Sequence, residues 1–191
     1  MQDVPANRFA VHPEYVHDDK TVHDLGLALL PQPFVMTSHV TQACVPPFGA
    51  VFKGMATIAG WGKTDEFQST DALWNHASGR LRTADVNLLS PDKCTNPDYF
   101  GKFDARDSLC AGFPSGAKDS CTGDSGGPLM SRIGDQTYVI GVVSYGFGCG
   151  RRDRPGIYVR VARHRPWIDA VVRYWKGIPD PARPPGPPAW G

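Results

Sequence analysis

Apolar positions along this chain come mostly in short runs separated by Pro, Gly, Asp, Asn and Ser. That is the pattern of strands joined by turns rather than of long helices. Residues 8–16 read as a strand leading into a turn, and Leu25 to Leu30, closed by Pro31 and Pro33, reads as a short buried strand. Residues 31–54 form a proline-broken crossing segment, and Ala56 to Trp61 reads as another buried strand ending in Gly60-Trp61-Gly62. Residues 63–80 have the polar, turn-rich composition of a surface loop, whereas Leu81 to Leu89 alternates apolar and polar as a half-buried strand does. Tyr138 to Val143 and Gly156 to Val161 are β-branched runs expected to be strands. One segment breaks the pattern. From about Arg163, the apolar residues Trp167, Ile168, Val171, Val172 and Trp175 fall on one helical stripe, with Pro166 early enough to be tolerated and Gly177 and Pro179 as a stop. The tail, 178–191, carries Pro179, Pro181, Pro184, Pro185, Pro187 and Pro188 and is expected to be extended. No internal repeat is evident.

Composition changes little in this picture. The chain has 191 residues, 41% hydrophobic and 20% charged, enough for one domain with a sizeable core. A net charge of +1 gives no electrostatic case for nucleic acid or an anionic membrane. No apolar run is long enough to span a bilayer, and Met1-Gln-Asp-Val-Pro5 has neither the basic start nor the apolar core of a secretion signal. Five cysteines (Cys44, Cys94, Cys110, Cys121 and Cys149) contain no C-x-x-C pair, and no histidines lie at metal-ligand spacing, so no metal is expected. Spacing alone leaves two readings open: buried free thiols in a cytosolic protein, or a disulfide set in a secreted one.

The densest candidate chemistry is Asp119-Ser-Cys-Thr-Gly-Asp-Ser-Gly-Gly-Pro128. It sets a hydroxyl, Ser125, in a glycine-rich turn where backbone N–H groups can face a reacting carbonyl oxygen without side chains in the way. The five residues Gly123 to Gly127 also fit the nucleophile elbow of α/β-hydrolases. That elbow needs a helix after the serine, which Gly126-Gly127-Pro128 opposes.

The longer stretch from Cys110-Ala-Gly112 through Lys118 to Leu129 resembles the active-site segment of the trypsin/chymotrypsin-like serine proteases. The resemblance extends from about residue 8 to 177. It implies an all-β fold of two Greek-key barrels, the first incomplete, plus a C-terminal helix, with residues 1–177 as the protease domain and 178–191 as a proline-rich tail. It implies Ser125 as nucleophile, with the N–H groups of Gly123 and Ser125 as oxyanion hole. Asp124 matches the acid that pairs with a new N-terminal amine after activation cleavage. Asp24, opening the apolar run to Pro33, matches the triad acid. Asp119 matches the acid at the base of a trypsin-type pocket, where a buried carboxylate favours a cationic partner and so Arg or Lys in the substrate. Ser120, Gly146 and Gly156 match other residues of that pocket. Ser144-Tyr145-Gly146 matches the segment that pairs with the substrate backbone, with Tyr145 where Trp is common. The disulfides implied are Cys94–Cys110 and Cys121–Cys149, leaving Cys44 for a partner segment. Cysteines common in relatives at the positions of Ala56 and Ser131 are replaced together.

One part of the pattern is missing. Relatives carry the catalytic histidine in an Ala-Ala-His-Cys-like segment several tens of residues before the acid. Only 23 residues precede Asp24 here, and none resembles that segment. His12, in a strand-end pattern, His23, beside Asp24, and His39, His76 and His164 all read as structural or surface histidines. The expectation is therefore a secreted serine endopeptidase without cofactor, acting on polypeptides with Arg or Lys and meeting protein inhibitors. Residues 1–191 would be an N-terminally incomplete form with little activity of its own. The rival expectation is a protease-like binding module without catalysis. Part of a barrel would also leave unpaired strand edges and apolar surface prone to association.

Overall fold

The computed structural model describes residues 2–16, 21–67, 80–94 and 103–179. His76, most of the proline-rich tail and the tip of the 63–80 loop lie outside the described residues.

Eight strands carry the fold: β1 (Arg8–Val11), β2 (Gly26–Leu29), β3 (Met55–Gly60), β4 (Arg82–Leu88), β5 (Ser108–Gly112), β6 (Pro128–Ile133), β7 (Gln136–Tyr145) and β8 (Gly156–Arg160). A helical turn, α1 (Pro91–Cys94), precedes β5, and a longer helix, α2 (Arg165–Trp175), follows β8. β1 and β2 pair as a two-stranded antiparallel sheet in which Ala10 faces Leu27. The other six close into an antiparallel barrel in the order β3-β4-β5-β8-β7-β6, with β6 returning to β3 through Thr57↔Met130 and Ile58↔Leu129. The all-β expectation, with one complete barrel, a smaller strand unit before it and a C-terminal helix, holds.

The barrel is filled by Ala56, Ile58, Val86, Ala111, Leu129, Ile140 and Tyr158. A second cluster, Ala10, Leu25, Val159, Val161, Trp167, Ile168 and Val171, ties the β1–β2 sheet to α2 and to the outside of the barrel. A third surrounds Cys94, Cys110 and Ile157. Successive residues of β8 therefore serve three clusters: Ile157 the third, Tyr158 the barrel interior and Val159 the helix side. This explains a strand buried on both faces.

Most strands fall where the pattern places them. β5 and β6 were not foreseen. β5 is made largely of small residues, and β6 buries Ser131 while exposing Ile133, which scrambles the alternation. Pro128 is tolerated because it is the first residue of its strand. α2 begins at Arg165 rather than Arg163, because Val161–Arg163 forms a 3-10 turn first, and Gly177 ends it at φ +67°. Both implied disulfides are present, Cys94–Cys110 and Cys121–Cys149, and Cys44 is a free, half-buried thiol whose backbone pairs with Thr137 and Val139.

Candidate active site

Ser125 is exposed on the turn between the Cys121–Cys149 disulfide and β6. Two consecutive turns shape it: Asp124 N–H donates to the Cys121 carbonyl at 2.9 Å, and Gly127 N–H to the Asp124 carbonyl at 2.8 Å. The path needs φ of +98° at Gly123 and +78° at Gly126, a region that side chains disfavour. Among the described residues, the backbone N–H groups of Gly123 and Ser125 have no acceptor.

The Asp124 carboxylate turns away from Ser125 and into the protein. Its Oδ1 accepts from Gly62 N–H at 2.7 Å and its Oδ2 from Cys121 N–H at 2.9 Å. A Cβ at Gly62 would fall 2.6 Å from this carboxylate, and one at Gly60 closer still. Gly60-Trp61-Gly62, legible in the sequence only as a strand end, is thus the seat of Asp124.

Asp24 reaches the same region through β7. The pairing of β7 with β8 slips between Val143 and Tyr145, leaving Ser144 as the extra residue of a bulge. Bulges re-aim side chains, and here Ser144 Oγ donates to Asp24 Oδ2 at 2.6 Å. Next to it, Val143 bonds Gly126 and Gly127 through its carbonyl and N–H at 3.0 and 2.9 Å. Asp24 and the Ser125 turn are therefore held on either side of one two-residue step of β7. Ser144, expected at the substrate strand, is the hydrogen-bond partner of Asp24.

The sequence that builds this arrangement matches a family model. The trypsin family model covers residues 1–168. The chain belongs to the trypsin family. It is 34% identical over 170 residues to Trypsin-1 of Astacus astacus, an alignment spanning 88% of this chain and 68% of that protein. It is 35% identical over 183 residues to the hepatocyte growth factor activator serine proteases of Canis lupus familiaris (92% and 27%). It is 34% identical over 176 residues to the serine proteinase stubble of Drosophila melanogaster (85% and 20%). The chain thus spans about a quarter or less of the length of these last two relatives.

In this trypsin-family chain, Asp119 lies beside Gly156, where a Cβ would fall 2.7 Å from Asp119 Oδ1 and 3.0 Å from the Tyr158 hydroxyl. Gly146 is adjacent, its would-be Cβ 3.9 Å from Gly156 Cα. Asp119 accepts from Ser120 N–H at 2.8 Å and Gly150 N–H at 3.0 Å. Burial nevertheless pushes its carboxyl up to about 6; the two N–H bonds oppose the rise and the Asp124 charge adds to it. Burial likewise raises the Tyr158 hydroxyl, which lies 3.2 Å from Ser120 Oγ. Tyr145 has a buried hydroxyl, raised above its usual range first by burial.

A cavity of about 730 Å³ connects Asp119 and Asp124 with Gly60, Gly62, Val143 and Gly150. Its rim is drawn together by the Glu66–Arg151 ion pair. Ser125, Ser144, Tyr145, Gly146 and Gly156 are not part of its lining.

The histidines go elsewhere. His39 is exposed and pairs with Ser38 Oγ at 3.0 Å. His12, His23 and His164, far apart in sequence, gather around the buried Asp107. That grouping was not foreseen: no sequence spacing announces residues brought together from β1, the turn before Asp24 and the start of α2. Among the described residues, no helix is long and apolar enough to cross a membrane.

Proposed function

We propose that this chain carries the acyl-transfer site of a serine endopeptidase that cleaves after Arg or Lys. The observation that supports this most directly is the Ser144–Asp24 hydrogen bond, one residue along β7 from the Val143 bonds to Gly126 and Gly127; Asp24 would serve as the triad acid. In this family's triad logic, Ser125 Oγ attacks the scissile carbonyl, a histidine held by Asp24 takes its proton, and water releases the acyl-enzyme. The N–H groups of Gly123 and Ser125 would hold the oxyanion; losing one such donor typically costs about 10²–10³ in rate. Asp119, half desolvated between Ser120 and Gly150, gains most from a guanidinium or ammonium partner, which is the physical case for basic side chains. Ser144, Tyr145 and Gly146 would pair with the substrate backbone.

Asp124, which lines a cavity with Asp119, would receive an α-amine in exchange for its bonds to Gly62 and Cys121. The base would come from outside residues 1–191. His23 and His164 lie against Asp107, His12 accepts from Glu14 N–H and His39 pairs with Ser38, so the chain by itself is expected to hydrolyse slowly. Cys44 offers a tether for the segment that brings it, and two disulfides fit a secreted protein. The absence of a base among the described residues also favours the rival reading, a protease-like binding module.

A chimaera decides between them. The N-terminal part of the Astacus trypsin, placed before residue 1, should give a protein that cleaves Arg and Lys esters. Ser125→Ala should abolish this, and Asp119→Ser should remove the preference for basic residues. A folded chimaera that binds benzamidine but cleaves nothing would favour the binding module.

A further inference from the structure

Asp107 and His164 are buried, with relative exposures of 4% and 3%, and His12 is at 9%. His164 Nε2 lies 2.9 Å from Asp107 Oδ1, and His23 Nδ1 lies 3.3 Å from the same oxygen. Yet none of these three atoms has a hydrogen-bond partner of acceptable angle. His164 nevertheless lies at hydrogen-bonding distance of Asp107 and, against burial, helps hold its carboxyl down. Such an arrangement is costly for buried polar atoms unless something else satisfies them.

Ligand atoms around a cation have this relation, because each lone pair aims at the centre and not at its neighbour. A tetrahedral ion with bonds of about 2.0–2.1 Å holds its ligand atoms about 3.3 Å apart. The His23–Asp107 contact of 3.3 Å is of that size, and the His164–Asp107 contact of 2.9 Å is shorter. A third imidazole is at hand: one ring nitrogen from each of His12, His23 and His164 lies within 4.8 Å of the others. His12 uses Nδ1 to accept from Glu14 N–H at 3.2 Å, leaving Nε2 as its ligand atom. Its ring stacks on His23 at 4.6 Å and 10°, so it must turn about its side-chain torsions to join the set.

Two further features support a built site. His23 has φ +53°, uncommon for a residue with a side chain, and its own N–H donates to Asp107 Oδ2 at 2.9 Å, so the backbone is held where the ring faces the carboxylate. Arg160, the nearby cation, commits its Nη2 to the carbonyls of Ala105 and Ser108 rather than to Asp107.

We propose that His12, His23, His164 and Asp107 form a site for a divalent transition metal of the Zn²⁺ class. Imidazoles with one carboxylate are a donor set suited to that ion. The site joins the end of β1 and the residue before Asp24 to the entry of β5 and the start of α2. An ion there would clamp the β1–β2 unit, and with it the approach to Asp24, onto the barrel.

The test is metal binding by the 191-residue chain carrying Cys44→Ser, which removes the free thiol as a competing ligand. Equilibrium dialysis should find one Zn²⁺ per chain. The unfolding midpoint should rise by roughly 5–10 °C when the metal is a hundredfold over its Kd. His23→Asn, which tolerates the positive φ, and His12→Gln should each weaken binding by at least about a hundredfold. If these variants do not fold, the unsubstituted histidines still report. In the imidazole NMR spectrum, three rings should shift together at one equivalent of Zn²⁺, and the resonance removed by His39→Gln should not be one of them. No stoichiometric binding, binding unchanged in folded His23→Asn and His12→Gln, or a response of fewer than three rings would overturn the proposal.

Discussion

Asp119 holds its charge against its surroundings. Burial raises its carboxyl from 3.8 to about 6, and the N–H donors of Ser120 and Gly150 recover only part of the lost hydration. A cationic ligand binds the ionised form, so its affinity should climb as pH rises through about 6 and level off above it. Titrating benzamidine from pH 5 to 8 should show roughly a tenfold weakening per unit below about 6. A flat profile would mean that the amidinium does not meet Asp119. At this scale, much of the candidate site was open to reading from the sequence: Asp119, Asp124 and Ser125 sit in one unbroken motif whose glycines announce the turn. What was not legible came from distant residues. Ser144 reaches Asp24 only because a bulge turns it, and Gly60 and Gly62 matter only because Asp124 folds back onto them. The gathering of three histidines on Asp107 has no trace in the spacing.

Among the elements, α2 does more than cap the barrel. Its stripe of Trp167, Ile168 and Val171 is the common floor under Val159 of β8, under Ala10 of the small sheet and under Leu25 just before β2. The stripe was readable because a 3.6-residue period survives any tertiary context that buries one face. β5 and β6 were not, because small and polar residues can be buried in a barrel whose neighbours fill the volume. Ser131, at 8% exposure, is such a case. Ile168 is 7% exposed within the shared cluster. Ile168→Ala removes buried methyl groups where both the barrel and the small sheet rest, so it should cost about 2–5 kcal/mol. In a urea titration the midpoint should fall without a change of slope if the two units unfold together. Two separated transitions would show instead that the small sheet docks on the barrel as an independent unit.

At the scale of the whole molecule, the barrel and the β1–β2 sheet differ in how they meet water. The barrel closes on itself and presents no free edge. Among the described residues the small sheet has two strands, each with one edge unpaired, and two strands alone are marginal in water. Ala10 turns inward, but its neighbours Phe9 and Val11 point out at 71% and 58% exposure. Val35 and Met36 of the crossing segment are also exposed, at 67% and 54%. A free edge flanked by outward apolar side chains is a template for pairing with another copy. The 191-residue chain should therefore associate as its concentration rises. Sedimentation velocity should show the average size growing across the micromolar range, and the double change Phe9→Lys, Val11→Lys should hold it monomeric while leaving Ala10 and the shared core in place. If the lysine variant associates as readily as the parent, the sticky surface lies elsewhere. If the parent stays monomeric, β1 and β2 are better protected than their exposure indicates.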